Sequence, residues 1–397
     1  MISWLCGKDS DSMVEYGGRN KVFPEGKERQ RNGQKKGTLM QGFIKISRYA
    51  GMRNDLAQAG GGNTSVKLDG QTMFVKSSGI QLAQVSETEG YTKVDYRRIV
   101  EYFEQNITED TEAVLSEEKG KELLAQAQLE GSRASIETFL HSVTGKYTLH
   151  SHPTLVNILT ARKGGEAVLQ SLFPEAIIVP YEKPGAALAE AYYRRYRKHK
   201  AERKNCDIIF LANHGLVVSS EDAGQVIAMT EEVLHRIADY LQIDKKEQER
   251  YENATKLWIS LTEIPVLGEK IVYTSENRYL SWEYIGDRLL ASRAWEHAFC
   301  PDCVVYGAKK MLFLQKDYDK EDILAFLERY GEPVLICYEK QFYIVAESVK
   351  KAQEIENVMS FSARVQMANL EQGMNCLSEE QEDALLNWDS EKYRRML

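Results

Sequence analysis

The sequence predicts an α/β protein, and three observations carry that reading. Helical and strand periodicities alternate from about residue 41 to 268. A second αβ pattern follows from 269 to the end of the 397 residues. The strands themselves are short apolar or alternating runs, such as Ile208-Ile-Phe-Leu211, bounded by turn residues. Taken in order, residues 1–39 hold Gly, Asn, Gln, Arg and Lys without hydrophobic periodicity and read as a disordered leader. A first amphipathic helix follows Met40, with Phe43, Ile46, Tyr49 and Ala50 on one side. Strands are expected at Thr64–Leu68, Met73–Lys76, Tyr147–His150, Ile177–Pro180, Ile208–Leu211 and Leu216–Val218. Helices are expected around 94–106, 111–128, 134–143, 154–171, 185–200 and 221–241. Ser219 or Ser220 suits the N-terminus of the last of these, and Val226, Ile227, Val233, Leu234 and Ile237 repeat along it. Beyond 269 the pattern gives a strand at Met311–Leu314, a helix at Glu321–Tyr330, and strands Val334–Tyr338 and Phe342–Val345. A helix from Ser348 follows, and Ser378-Glu-Glu-Gln381 forms a capping box for a last helix through Trp388. The chain thus divides into 1–39, 40–268 and 269–397.

Composition narrows the function. With 43% hydrophobic and 28% charged residues the chain has globular proportions. A formal net charge of −8 argues against nucleic-acid binding, which calls for a basic surface. No run approaches the 18 or so apolar residues of a membrane span, and no apolar signal segment opens the chain. The six cysteines show no disulfide-framework spacing, so the expected location is the cytoplasm. Cys300-Pro-Asp-Cys303 is either a redox couple, half of a zinc ribbon, or an ordinary turn. With no second CxxC and no strand leading into a helix, the turn is the expectation.

The chemistry concentrates between residues 59 and 215. Tyr147-Thr-Leu-His-Ser-His-Pro153 puts His150 and His152 on one face of a strand, since side chains alternate with period two. Leu211-Ala-Asn-His-Gly215 delivers His214 at a strand exit. Three imidazoles with one position open is the ligand count of a catalytic zinc site, although a strand histidine also serves as a plain core or surface residue. Ser135-Ile-Glu137 adds a carboxylate on a predicted helix. Ala59-Gly-Gly-Gly-Asn-Thr-Ser-Val66 is a glycine-rich turn that exposes backbone N–H groups; its spacing fits neither a dinucleotide fingerprint nor a P-loop. Lys76-Ser-Ser-Gly79 is a second polar turn, and Ser135 begins the helix that carries Glu137. His141, four residues after Glu137, reads as structural, and Lys67, Lys76 and Lys183 as solvated.

Gly61-Gly-Asn-Thr-Ser65, Ser77-Ser-Gly79, Ser135-Ile-Glu137, His150-Ser-His152-Pro, Pro180-Tyr181 and Asn213-His-Gly215 occur in the order of the class II aldolase/adducin family, which residues 41–268 resemble. The later segments Phe299-Cys-Pro-Asp302, Val334–Val345 and Leu377–Lys392 resemble the aldolase part of bifunctional rhamnulose-1-phosphate aldolase/lactaldehyde dehydrogenases. The resemblance implies a three-layer αβα fold with a mostly antiparallel central sheet, plus a smaller C-terminal α/β region. It implies a homo-tetramer with sites at subunit interfaces. It implies zinc, or another divalent transition metal, on His150, His152 and His214, and Glu137 as the catalytic carboxylate. It further implies a substrate phosphate held by Gly62, Asn63, Ser78, Gly79 and Ser135. Tyr181 would protonate the departing aldehyde in a neighbouring subunit's site. Three functions follow from it: an aldolase acting on a phosphorylated ketose, with L-rhamnulose 1-phosphate foremost; a dehydratase of the methylthioribulose-1-phosphate type; or a non-enzymatic adducin-like binding protein. Adducin-type domains lack the metal ligands present here, and the related epimerases carry Asp where Glu137 stands.

Overall fold

The computed structural model describes residues 25–107, 115–202, 207–291, 298–307 and 310–387. Among the described residues, 39–387 belong to one unit and 25–38 to another. Helix α1, Glu25–Gly51, begins inside the segment expected to be a disordered leader, while residues 1–24 lie outside the described residues. Leu39, one residue before the expected boundary, is buried.

Twelve strands and thirteen further α-helices follow among the described residues. The first region holds β1 (Asn63–Lys67), β2 (Thr72–Lys76), β3 (Tyr91–Asp95), α2 (Tyr96–Asn106), α3 (Glu117–Ala127), β4 (Gln128–Gly131), α4 (Thr138–Val143), β5 (Tyr147–Ser151), α5 (Thr154–Thr160) and α6 (Gly165–Leu172). It continues with β6 (Ile177–Val179), α7 (Ala186–Ala201), β7 (Ile208–Leu211), β8 (Gly215–Ser220), α8 (Ala223–Leu241) and α9 (Lys245–Thr262). The second region holds β9 (Ile271–Thr274), α10 (Trp282–Ala291), α11 (Pro301–Gly307), β10 (Leu312–Leu314), α12 (Lys320–Tyr330), β11 (Leu335–Tyr338), β12 (Gln341–Ala346), α13 (Val349–Ala368) and α14 (Glu379–Asn387).

Strands β1 to β8 make one sheet in the order β4-β3-β2-β1-β5-β8-β7-β6. Every pairing is antiparallel except β6 with β7. The period-two pattern splits its side chains between two cores. Phe74, Phe210, Leu216 and Val218 face a layer built on α1, α5, α8 and α9. Met73, Val75, Ile209, Leu211 and Val217 face a layer built on α2, α3, α4 and α7. Helices on both faces of a mostly antiparallel sheet give the expected three layers.

The second sheet, β10-β11-β12-β9, is smaller. Ala254, Leu257, Trp258 and Leu261 of α9 belong to the same apolar cluster as Ile271, Val272, Ile336 and Val345. The segments expected as 40–268 and 269–397 therefore share buried surface. The capping box at Ser378 is present: Gln381 N–H donates to Ser378 Oγ at 3.3 Å, and Ser378 N–H donates to Gln381 Oε1 at 2.9 Å. The expected end of that helix at Trp388 lies outside the described residues. No described helix is long and apolar enough to cross a membrane.

Candidate metal centre

The sheet order brings β1, β5 and β8 side by side, and the site forms at one end of these three strands. Register places Asn63 opposite His150 on one side and Val217 opposite it on the other. His150 is fully buried, and its Nδ1 donates to the Leu216 carbonyl at 3.1 Å. That bond holds the ring and turns Nε2 into the site. His152, two residues on, brings its Nε2 to 3.1 Å from His150 Nε2. His214 arrives from the β7–β8 turn, with its Nε2 3.3 Å from the same atom. Asn213, at φ 53°, supplies the left-handed turn residue that points His214 inward.

Glu137 stands immediately before the wholly buried helix α4 and completes the cluster; Ser135, expected to begin this helix, lies in the turn that leads into it, because the helix starts only at Thr138. Its Oε1 lies 3.3 Å from His150 Nε2 and 3.5 Å from His214 Nε2. One ligand atom from each of Glu137, His150, His152 and His214 fits within 4.8 Å of all the others. Burial pushes the Glu137 carboxyl up, but the charge and hydrogen bonds of His150 and His214 outweigh it and hold the group well below the usual carboxylate range. Burial, with His150 and His214 alongside, pushes His152 down to about 3. An ionised carboxylate beside a neutral imidazole is the protonation state a divalent cation requires.

The residues expected to hold a phosphate fall in two groups, Gly62–Asn63 against β5 and Ser78–Gly79 beside Ser135. Gly62 sits at φ +80°, and a Cβ there would lie 2.9 Å from the His150 carbonyl oxygen, so only glycine lets the loop reach β5. Asn63 is fully buried; its Oδ1 accepts from Thr64 N–H at 2.8 Å, while its Nδ2 has no partner among the described residues. Ser77 bridges to Ala134, and Ser78 N–H donates to the Arg133 carbonyl at 2.9 Å, which lays the Ser78–Gly79 turn beside Ser135. Ser135 Oγ accepts from Glu137 N–H at 3.3 Å, so this polar cluster adjoins the carboxylate directly. Ser78 and Gly79 are exposed, as is Tyr181 at 61%, on the loop after β6.

His141, expected to be structural, is not among the clustered side chains. It is fully buried with Nδ1 2.8 Å from Ser65 Oγ, and burial pushes it down to about 3. Lys76 departs from expectation: it is buried, not solvated. Its ammonium donates to the Ile80 carbonyl at 2.6 Å and the Ser77 carbonyl at 3.3 Å, closing the Ser77–Ile80 turn from beneath. The only sequence signal was its place at the end of β2, in step with the inward Phe74.

Residues 41–241, just over half of the chain, match the family described as Class II Aldolase and Adducin N-terminal domain, and the protein belongs to that family. None of the curated proteins matches the chain. Solved structures with a similar fold include the N-terminal class II aldolase domain of a conserved protein from Thermoplasma acidophilum, at TM-score 0.42 and 18% identity, covering 59% of this chain and 100% of that one. L-fuculose-1-phosphate aldolase from Thermus thermophilus aligns at TM-score 0.33 and 18% identity, covering 54% and 98%. A sugar-phosphate aldolase from Thermotoga maritima aligns at 0.37 and 15%, covering 53% and 96%.

Proposed function

We propose that the protein is a metal-dependent aldolase that cleaves a ketose 1-phosphate, L-rhamnulose 1-phosphate foremost, into dihydroxyacetone phosphate and lactaldehyde. The observation that carries this reading is the convergence of three imidazole Nε2 atoms and Glu137 Oε1 at one point. The donor set fits a divalent transition metal, zinc foremost. The Nδ1 bond to Leu216 turns His150 Nε2 inward, and His152 is neutral. His150, His152 and His214 would hold the cation, which when bound supplies Lewis-acid stabilisation of negative charge developing on substrate oxygens.

The chain's own residues do the rest. Glu137, ionised beside the imidazoles, accepts a proton at Oε1 from the nucleophilic carbon in the condensation direction and returns it in cleavage. The unpartnered Asn63 Nδ2, with the Ser78–Gly79 and Ser135 turns, supplies donors for a phosphate close to Glu137. Binding energy from that remote group orients the reacting carbons. The reading includes a homo-tetramer in which the exposed Tyr181 reaches a neighbour's site, takes up the proton of the hydroxyl that becomes the aldehyde carbonyl in cleavage, and returns it in condensation.

An NMR time course with phosphorylated ketoses tests it. Carbon–carbon cleavage to dihydroxyacetone phosphate is expected. A dehydrated product with an intact skeleton would replace the aldolase by a dehydratase. No turnover of any phosphorylated ketose by metal-loaded protein would leave an adducin-like binding role.

A further inference from the structure

Cys300 and Cys303 were expected to lie in an ordinary turn, and the structure places them otherwise. Pro301 opens helix α11, so Cys300 stands immediately before the helix and Cys303 within its first turn. Their Sγ atoms are 3.3 Å apart, and both are free thiols. The segment is anchored from both sides of Ala298. Ala298 N–H donates to the buried Glu382 of α14 at 2.9 Å, and its carbonyl accepts from Leu377 N–H at 2.8 Å.

The two sulfurs differ in access. Cys303 is 5% exposed and hydrogen-bonded to Ser362 of α13, whereas Cys300 is only partly covered. Burial, and then the hydrogen bond with Cys300, push the Cys303 thiol up to about 12. A metal role is disfavoured by the surroundings. Among the described residues, the only group of three or more His, Cys, Asp or Glu side chains close enough to share one ion is the one around Glu137. Two preplaced sulfurs without further ligands constitute a dithiol.

We propose that Cys300 and Cys303 form a redox-active pair that is oxidised to an intramolecular disulfide by low-molecular-weight disulfides. The Cys300 thiolate attacks one sulfur of the small disulfide, forming a mixed disulfide and expelling one small thiolate, which takes up a proton. Cys303 then gives up its proton to solvent and attacks Cys300 Sγ, displacing the second small thiolate, which is protonated in turn. Two protein thiols are oxidised and one small disulfide is reduced to two thiols. Closing the gap from 3.3 Å to a bond of about 2 Å calls for side-chain rotation in a segment whose backbone is already held. Cys300, the accessible sulfur, initiates, and Cys303 resolves.

The test equilibrates the full-length protein in buffers of graded reduced and oxidised glutathione, followed by acid quenching, alkylation under denaturing conditions and peptide mass spectrometry. The wild type is expected to lose both alkylation adducts on the Cys300–Cys303 peptide together, with no glutathione attached. Cys303→Ser is expected to accumulate a persistent glutathione adduct on Cys300, because nothing resolves it. In folded Cys300→Ser, Cys303 is expected to stay fully alkylatable. Two alkylated cysteines in the wild type at every buffer ratio would overturn the proposal, a result that needs no variant to fold. A glutathione adduct that persists equally in the wild type and in Cys303→Ser would also overturn it, by removing the resolving role.

Discussion

Replacing Gly215 by alanine tests how the site is held. Gly215 follows His214 and opens β8, and its neighbour Leu216 pairs with Ser151. A Cβ at this position would lie 2.3 Å from the Ser151 carbonyl oxygen and 3.1 Å from His152 Cδ2. Ordinary contact needs more than about 3 Å, so β5 and β8 must part by roughly 1 Å at the end that carries two of the histidines. Neither obstacle is the far end of a flexible side chain: one is backbone, and the other is a ring whose Nε2 belongs to the cluster. Overpacking of this kind costs about 1–3 kcal/mol, or a few degrees in melting temperature. The larger effect falls on the metal, because displacing a group that orients a ligand lowers affinity about 10- to 100-fold. Thermal unfolding in chelator isolates the first effect, and competition with a chromogenic zinc chelator measures the second. Gly70→Ala, with no atom within 4 Å of its Cβ, is the matched control and is expected to be silent. If Gly215→Ala binds zinc and melts like the wild type, the close approach of β8 to His152 does not position the site.

The ligand assignment itself is checked by metal analysis: a His150→Ala/His152→Ala protein is expected to retain none of the metal that the wild type binds. Glu137→Gln keeps the shape of the carboxylate without its basicity, so turnover is expected to fall on the order of a hundredfold while metal content and unfolding temperature hold; unchanged turnover would remove the proton-transfer role. His141 sits folded at about 3 against an unfolded value near 6.5, so between those values the unfolded chain binds the extra proton. Its contribution is therefore intact above about pH 6.5 and is lost on acidification towards pH 3, and chelator-treated His141→Gln should show a shallower acid slope in thermal melts than the wild type. Removing residues 1–38, which leaves the buried Leu39 in place, is expected to preserve metal content and melting temperature.

The clustered histidines were legible because their signals are local. His150-Ser-His152 needs only the period of a strand, and His214 only the apolar run of β7 before it. What orients those rings is remote in sequence: the Leu216 carbonyl on His150 and the bare Cα of Gly215 under His152 both come from β8, which only the sheet order brings alongside β5. The same division runs through the fold. The strand β4, Gln-Leu-Glu-Gly, is polar and mostly exposed, and exists because β3 offers it an edge, so no pattern of its own announced it. The strand β3 was hidden differently: Asp95 ends it and at once caps α2 by accepting from Arg98 N–H, leaving no turn residues between strand and helix, and the helical reading extended back over the strand's end. The helix expected over 154–171 is two, α5 and α6, parted at Gly164-Gly165 by a break that two adjacent glycines do signal. Lys76 shows the limit most directly. A lysine at a strand end is by default solvated, and its burial follows only from the Ser77–Ile80 turn folding its carbonyls back over the ammonium. The side chains of the cluster can thus be read from short motifs, whereas the parts that aim them depend on pairings between strands far apart in the chain. A substitution at Gly215 therefore perturbs the cluster without replacing any of its side chains.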